Sequence, residues 1–482
     1  MGGMKTCLLL LVAASAVASR AADAVVKPTA RQLEWADCEI GVIIHQDVQV
    51  YRPFDWRKDP LPGAEVFAPT ALDTDQWIET AKKAGAKYAV LVAKHGSGFS
   101  LWPTKAHAYS VAHSPWKDGQ GDVVADFIAS CRKYGVRPGL YASTGANAYF
   151  GVFDDVGKID EARWGKYLAM VKTQLTELWT NYGELFEIWF DGGNLPPERG
   201  GREIEDLLLR LQPQAVVFQG NPARMSCVRW VGNERAHAPE VCWNRTEAGT
   251  GSDGMAERTG ELYAGRFDGR YWVPGEADMP NRDQNSGYQG GWMWHAGQDA
   301  TLYPPEELLE RYFTSVGRGC NLLLGMVIDN RGRVPDADVA QFTRFGELVK
   351  GLYAKKVAGV SGKGKKFVLQ VPKGARPNLL SVQEDLTDGE RIRSFTLHGF
   401  DGRAWHTLAT ESNMGHRRLV RFVPGDYERY RLDCWDTRDW VDPVVRDCSL
   451  YEVPERDSST LPLVMTSVPA GSPSNLRPRM RW

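Results

Sequence analysis

Between residues 40 and 355 the chain alternates short apolar runs with stretches whose apolar residues recur every three or four positions. The runs fall at 41–45, 88–94, 137–141, 185–190, 215–219, 228–231, 291–294 and 321–324. They are nearly continuous in hydrophobic residues, the texture of strands buried on both faces. The periodic stretches, at 75–84, 122–134, 164–182, 203–211 and 305–316, hold their apolar residues at helical spacing. Strand and helix in alternation predict an α/β architecture. Eight buried runs are the number a closed parallel barrel needs, so a (β/α)8-like TIM barrel is expected over 24–356.

After about residue 356 the period changes. The segments 367–371, 379–382, 392–397 and 430–432 alternate apolar and polar residues at period two and are split by Gly and Asp turns. That pattern predicts a small antiparallel β-sandwich over 357–454. The remaining 455–482, rich in Ser and Pro, reads as a flexible tail. At the other end, Lys5, the apolar run 8–14 and small residues near 14–16 and 21–22 read as a secretory signal peptide over 1–23. Export follows as the expectation, to the extracellular space, a periplasm or a lysosome-like compartment. No other stretch reaches the roughly 18 apolar residues of a membrane span. The Gly-rich, charged segment 243–269 reads as a long loop over the barrel mouth that shapes a substrate site.

Composition narrows the partners. The 482 residues are 43% hydrophobic and 24% charged, enough for a large core in two or three domains. A formal charge of -2 argues against nucleic acid, which demands a concentrated basic face. Seventeen Trp residues suit stacking on sugar faces as well as core packing. Once Cys7 leaves with the signal, the remaining cysteines are odd in number, and Cys227/Cys242 and Cys434/Cys448 are the candidate disulfides. None has zinc-site spacing. One sequon occurs, Asn244-Arg245-Thr246.

In a barrel, chemistry sits where strands give way to loops. Here His45, Lys94-His95, Asp191, Asn233-Glu234 and His295 stand at or just beyond such ends. Asp191 precedes Gly192-Gly193 and on local sequence reads equally well as a turn former. Glu234 lies far enough along the chain for an intervening helix and strand to return it to the same face. Two carboxyls are the minimum for glycoside hydrolysis, one attacking the anomeric carbon and the other donating a proton to the leaving oxygen. Arg229 and Trp230 share the strand leading to Glu234 and are candidates to flank it. Glu276 is a rival acid.

The run Ala93-Lys94-His95-Gly96-Ser97-Gly98-Phe99-Ser100-Leu101-Trp102-Pro103 resembles the AKHHDGFxLWPS signature of the α-L-fucosidases of glycoside hydrolase family 29. Trp189-Phe190-Asp191-Gly192, Arg229-Trp230-Val231-Gly232-Asn233-Glu234 and Gly291-Trp292-Met293-Trp294-His295 are similar to further motifs of that family. The resemblance implies a retaining fucosidase without cofactor or metal, acting on a fucosylated oligosaccharide or glycoconjugate. It implies Asp191 as nucleophile, Glu234 as acid/base, His45 and His95 on fucose hydroxyls, and Trp292 against the sugar ring. Trp102, Arg229, Trp230, Glu276 and His295 complete the substrate-binding candidates. The 229–234 motif resembles the subgroup preferring α-1,3/1,4-linked fucose. Two departures stand out: Gly96 and Ser97 replace the family's second His and Asp, and 142–147 replaces its LSPWDRN segment. They keep two alternatives open, an exo-glycosidase for another sugar and a sugar-binding barrel without activity.

Overall fold

A strand of six buried residues, β1 (Ile40–His45), pairs in parallel with β2 (Tyr88–Lys94) on one side and with β8 (Asn321–Val327) on the other. Between them, β3 (Arg137–Ala142), β4 (Glu187–Trp189), β5 (Val216–Phe218), β6 (Cys227–Trp230) and β7 (Gly275–Met279) each pair with their sequence neighbours, closing an eight-stranded parallel barrel. The computed structural model describes residues 25–153, 156, 159–247 and 260–454. The expected signal segment 1–23, the expected tail 455–482 and part of the 243–269 loop lie outside the described residues.

Successive residues of a strand face opposite sides, and the barrel uses this alternation consistently. Ile43, Tyr88, Val90, Val92, Trp189 and Leu323 fill the interior. Val42, Ile44, Ala89, Leu91 and Leu324 face outward, under the helices. Around them lie α1 (Ala30–Ala36), α2 (Thr74–Lys83), α3 (Val123–Tyr134), α4 (Glu161–Thr180), α5 (Gly201–Leu211), α6 (Pro305–Thr314) and α7 (Asp336–Leu352). Asp73, Asp122 and Asp160 cap α2, α3 and α4, each side chain accepting a bond from a first-turn amide. Among the described residues no helix joins β5 to β6, and between β6 and β7 lie only the short helical turn Glu261–Ala264 and a two-stranded ribbon, Arg245–Thr246 with Tyr271–Trp272.

The seventh strand is not the apolar run 291–294. It is β7, where Glu276 and Asp278 alternate on the inner face and so hide the strand from a search for hydrophobic runs. The 291–294 run instead follows a 3-10 turn, Tyr288–Gly291, in which Gln289 and Gly290 take left-handed backbone.

Eight antiparallel strands follow: β9 (Lys356–Lys363), β10 (Lys366–Gln370), β11 (Leu379–Glu384), β12 (Ile392–Phe400), β13 (Trp405–Glu411), β14 (Arg418–Arg421), β15 (Arg429–Thr437) and β16 (Val444–Tyr451). They form two sheets, β9-β16-β11-β14 and β10-β15-β12-β13, over a shared core that includes Leu380, Val382, Phe395, Leu397, Leu432 and Leu450. Buried and half-buried polar contacts fasten this sandwich to the barrel. Asn413 Nδ2 donates to the Cys242 carbonyl at 2.6 Å, the Asn244 amide donates to Glu390 at 3.1 Å, and Arg417 pairs with Glu39 at 2.6 Å.

The cysteines do not pair as the sequence suggests. Cys242 Sγ lies 3.4 Å from Cys320 Sγ, beside Arg229, while Cys227 sits at the start of β6 under Gly220. Cys434 and Cys448 stand on strands of opposite sheets as separate buried thiols. The sequon is equally unavailable in the folded chain: Asn244 is 3% exposed, and its side-chain amide is bonded to Glu390.

Candidate active site

The end of β4 delivers Asp191 onto a turn in which Gly192 and Gly193 both take positive φ, a conformation that glycine adopts without steric cost. Asp191 is exposed, and the Tyr141 hydroxyl at the end of β3 donates to its Oδ2 at 2.9 Å. Glu234 stands in the turn after β6. Its φ of 48° and that of Ala236, also 48°, are left-handed, which for non-glycine residues costs about 1–3 kcal/mol each. Neighbouring elements hold the turn in place. Gln284 Nε2 donates to the Glu234 carbonyl at 3.0 Å and to its Oε2 at 3.1 Å, and the Ala236 amide donates to the Asp278 carbonyl at 2.9 Å.

Asp191 and Glu234 line one cavity of about 80 Å³ at the end of the barrel where β1, β2 and β4 finish. His45, His95 and Trp292 form its walls, with Tyr141, Trp189, Ile43 and Asp278 completing them. The His45 ring lies 5.2 Å from that of Trp292 and 6.1 Å from that of His95. Trp292 Nε1 reaches Glu234 Oε2 at 3.4 Å.

The charges in this cavity are uneven. Burial holds Glu234 above the usual carboxylate range, and the charge of Asp191 adds to that against the opposing bond from Trp292. Burial lowers His45 to about 3 and His95 to about 4, so both imidazoles are neutral. Their buried Nδ1 atoms have no hydrogen-bond partner among the described residues. Asp278 accepts from Trp230 Nε1 at 2.8 Å and is held well above its normal value by burial and by Glu234. One exposed carboxylate, two carboxyls that hold their protons more tightly than usual, half-buried Glu234 and buried Asp278, and two neutral imidazoles are equipment for proton donation and displacement at a sugar carbon.

Several sequence candidates lie elsewhere. Arg229 faces outward from β6 and donates to the Leu262 and Val273 carbonyls and to Cys242, while its neighbour Trp230 faces inward. Trp102 is buried outside the barrel, its Nε1 bonded to Glu177 of α4. His295 packs against Tyr288 and does not line the cavity. Glu276 is fully buried inside the barrel, bonded to the Tyr88 hydroxyl at 2.5 Å and to Trp189 Nε1 at 3.0 Å, and so cannot serve as the rival acid. Tyr141 and Asp278 are the residues that sequence reasoning missed. The period-two spacing of Glu276 and Asp278 within an otherwise buried strand was the available signal for the second.

The interior carboxyls predict a pH effect on stability. Burial pushes Glu276 up to about 7, and burial together with Glu276 holds Glu187 well above the carboxylate range. Because the folded value exceeds the unfolded one, this contribution is full below the ordinary value of 4.5 and is lost as pH rises through the folded one. Glu276→Gln is expected to shrink the fall in melting temperature between about pH 5 and about pH 8 by roughly 2–4 °C. Calorimetry at the two pH values checks it; an unchanged or larger fall would mean that Glu276 is ionised throughout.

The two departures from the family pattern meet in space. A Cβ at Gly96 would lie 2.5–2.8 Å from the Trp56 indole, so that ring occupies the room of the missing side chain. Ser97 donates to Asp47 at 2.6 Å. The 142–147 segment leads into a short hairpin, Ala146–Asn147 with Val152–Phe153, and Lys94 Nζ donates to the Ser143 and Ala146 carbonyls beneath it.

Known proteins share this fold. A family model described as Alpha-L-fucosidase matches residues 29–351. Alpha-L-fucosidase 1 of Arabidopsis thaliana is 29% identical over 471 residues, covering 88% of this chain and 87% of its own. A crystal structure from Bacteroides thetaiotaomicron assigned to the α-L-fucosidases superposes with a TM-score of 0.84 at 31% identity, covering 89% of this chain and 100% of that one. A glycoside hydrolase 29 family member from an unknown rumen bacterium gives 0.75 at 27% identity, over 89% and 78%. With the family match spanning the barrel and its cavity, this chain belongs to the α-L-fucosidases of glycoside hydrolase family 29.

Proposed function

We propose that the protein is an exported, retaining α-L-fucosidase that removes terminal α-L-fucose from glycans by double displacement. The observation that carries this reading is the single cavity shared by Asp191 and Glu234 with two neutral histidines. Asp191, open to solvent and oriented by Tyr141, attacks the anomeric carbon. Glu234, half-buried and holding its proton more tightly than a free carboxyl, donates to the departing oxygen and then takes a proton from water in the second step. His45 and His95, which line the cavity, contact the hydroxyls of the sugar, and Trp292 packs on its apolar face. Among glycan linkages we assign α-1,3/1,4-fucosides, from the 229–234 motif, and we assign residues 1–23 to the export signal.

Proton NMR of the first minutes of hydrolysis tests the mechanism. A retaining enzyme releases the α-anomer of fucose before mutarotation; β-fucose as the first product would require an inverting pair about 6.5–9.5 Å apart and would sink the double displacement.

A further inference from the structure

A series of packed aromatic rings continues outward from the cavity wall. The Trp56 indole meets the His95 imidazole edge-on, with centroids 6.2 Å apart and planes at 88°. Phe153 stacks parallel to Trp56 at 6.3 Å and 9°. Trp56 is 4% exposed whereas Phe153 is 46% exposed, so the series His45, His95, Trp56, Phe153 runs from cavity to solvent with each ring against the next.

This series depends on small residues beneath it. Gly96 leaves room for the Trp56 ring, and a side chain at Gly98, whose φ is 88°, would strike Asn147. The hairpin that carries Phe153 is bonded to the same strip of chain. The Ala148 amide donates to the Gly96 carbonyl at 2.8 Å and the Tyr149 amide to the Ser97 carbonyl at 3.2 Å. A loop bonded to the segment that begins with a cavity residue is a fixture of the site's rim.

We propose that Phe153, backed by Trp56, is a subsite for the sugar next to the one held in the cavity, taking the C–H face of a neutral pyranose in the leaving group. The inference rests on the fucosidase reading above. A glycan whose terminal residue fills the cavity must leave past its rim, and Phe153, the exposed end of the ring series that begins at the cavity-lining histidines, offers that next residue a flat apolar face. Trp56 holds the ring in place and is a positioning residue.

Phe153→Ala tests this, because an exposed side chain is removed with little risk to folding. The measurement is kcat/KM for a fucosylated trisaccharide relative to α-L-fucosyl fluoride, whose leaving group is too small to reach a second subsite. The ratio is expected to fall about three- to tenfold, mainly through KM, and to recover in Phe153→Trp. An unchanged ratio with active wild type overturns the subsite alone. Wild type inactive on the fluoride overturns the fucosidase reading and the subsite with it.

Discussion

Asp191→Ala is expected to lower kcat for an aryl α-L-fucoside by on the order of 10⁴-fold, the scale of removing a nucleophile from a site that otherwise survives. Survival is expected because Asp191 lies on an exposed turn, where the bond from the Tyr141 hydroxyl can be exchanged for water. The vacated space then admits a small anion. Added azide should restore turnover and yield the β-fucosyl azide, because the azide attacks from the face the carboxylate used while the leaving group departs from the other. Activity within about tenfold of wild type, or an α-azide product, would remove Asp191 from the role.

Glu234→Ala is expected to discriminate between leaving groups. An oligosaccharide alkoxide needs a proton to depart, so its hydrolysis should fall by about 10²–10⁴-fold, the range of general acid catalysis. A 4-nitrophenolate leaves unassisted, so formation of the fucosyl-enzyme should be far less affected and its breakdown should become limiting. The pH profile gives a second test. Burial holds the Glu234 proton above the normal carboxylate range, so wild-type activity should fall as pH rises through that raised value, and the variant should lose this basic limb. Equal losses on both leaving groups, with the limb intact, would point to another acid.

The two carboxylates were legible because each follows a strand that announces itself: an apolar run carrying Asp191 and an Arg-Trp-Val strand carrying Glu234. His45, His95 and Trp292 were legible through their motifs. Misplacement came from the geometry of single strands. Arg229 and Trp230 are adjacent in sequence and therefore face opposite sides of β6, so only one of them can address the barrel interior. Tyr141 ended an apolar run and was not among the site candidates, though its hydroxyl is what reaches Asp191. Asp278 was hidden with β7 itself, since a strand carrying two buried acids does not look like a strand. The seventh barrel strand and the third cavity acid were thus lost to one cause.

The bonds between Asn413 and Cys242 and between Glu390 and Asn244 place a seam of buried polar atoms just downstream of the turn that carries Glu234. Cutting the chain after α7 would open that seam, leaving the Cys242 and Asn244 amides to find water where they now find the sandwich. The β-sandwich is therefore a splint for the catalytic barrel. Exchange of barrels among chimeric enzymes would have to carry both sides of the seam together.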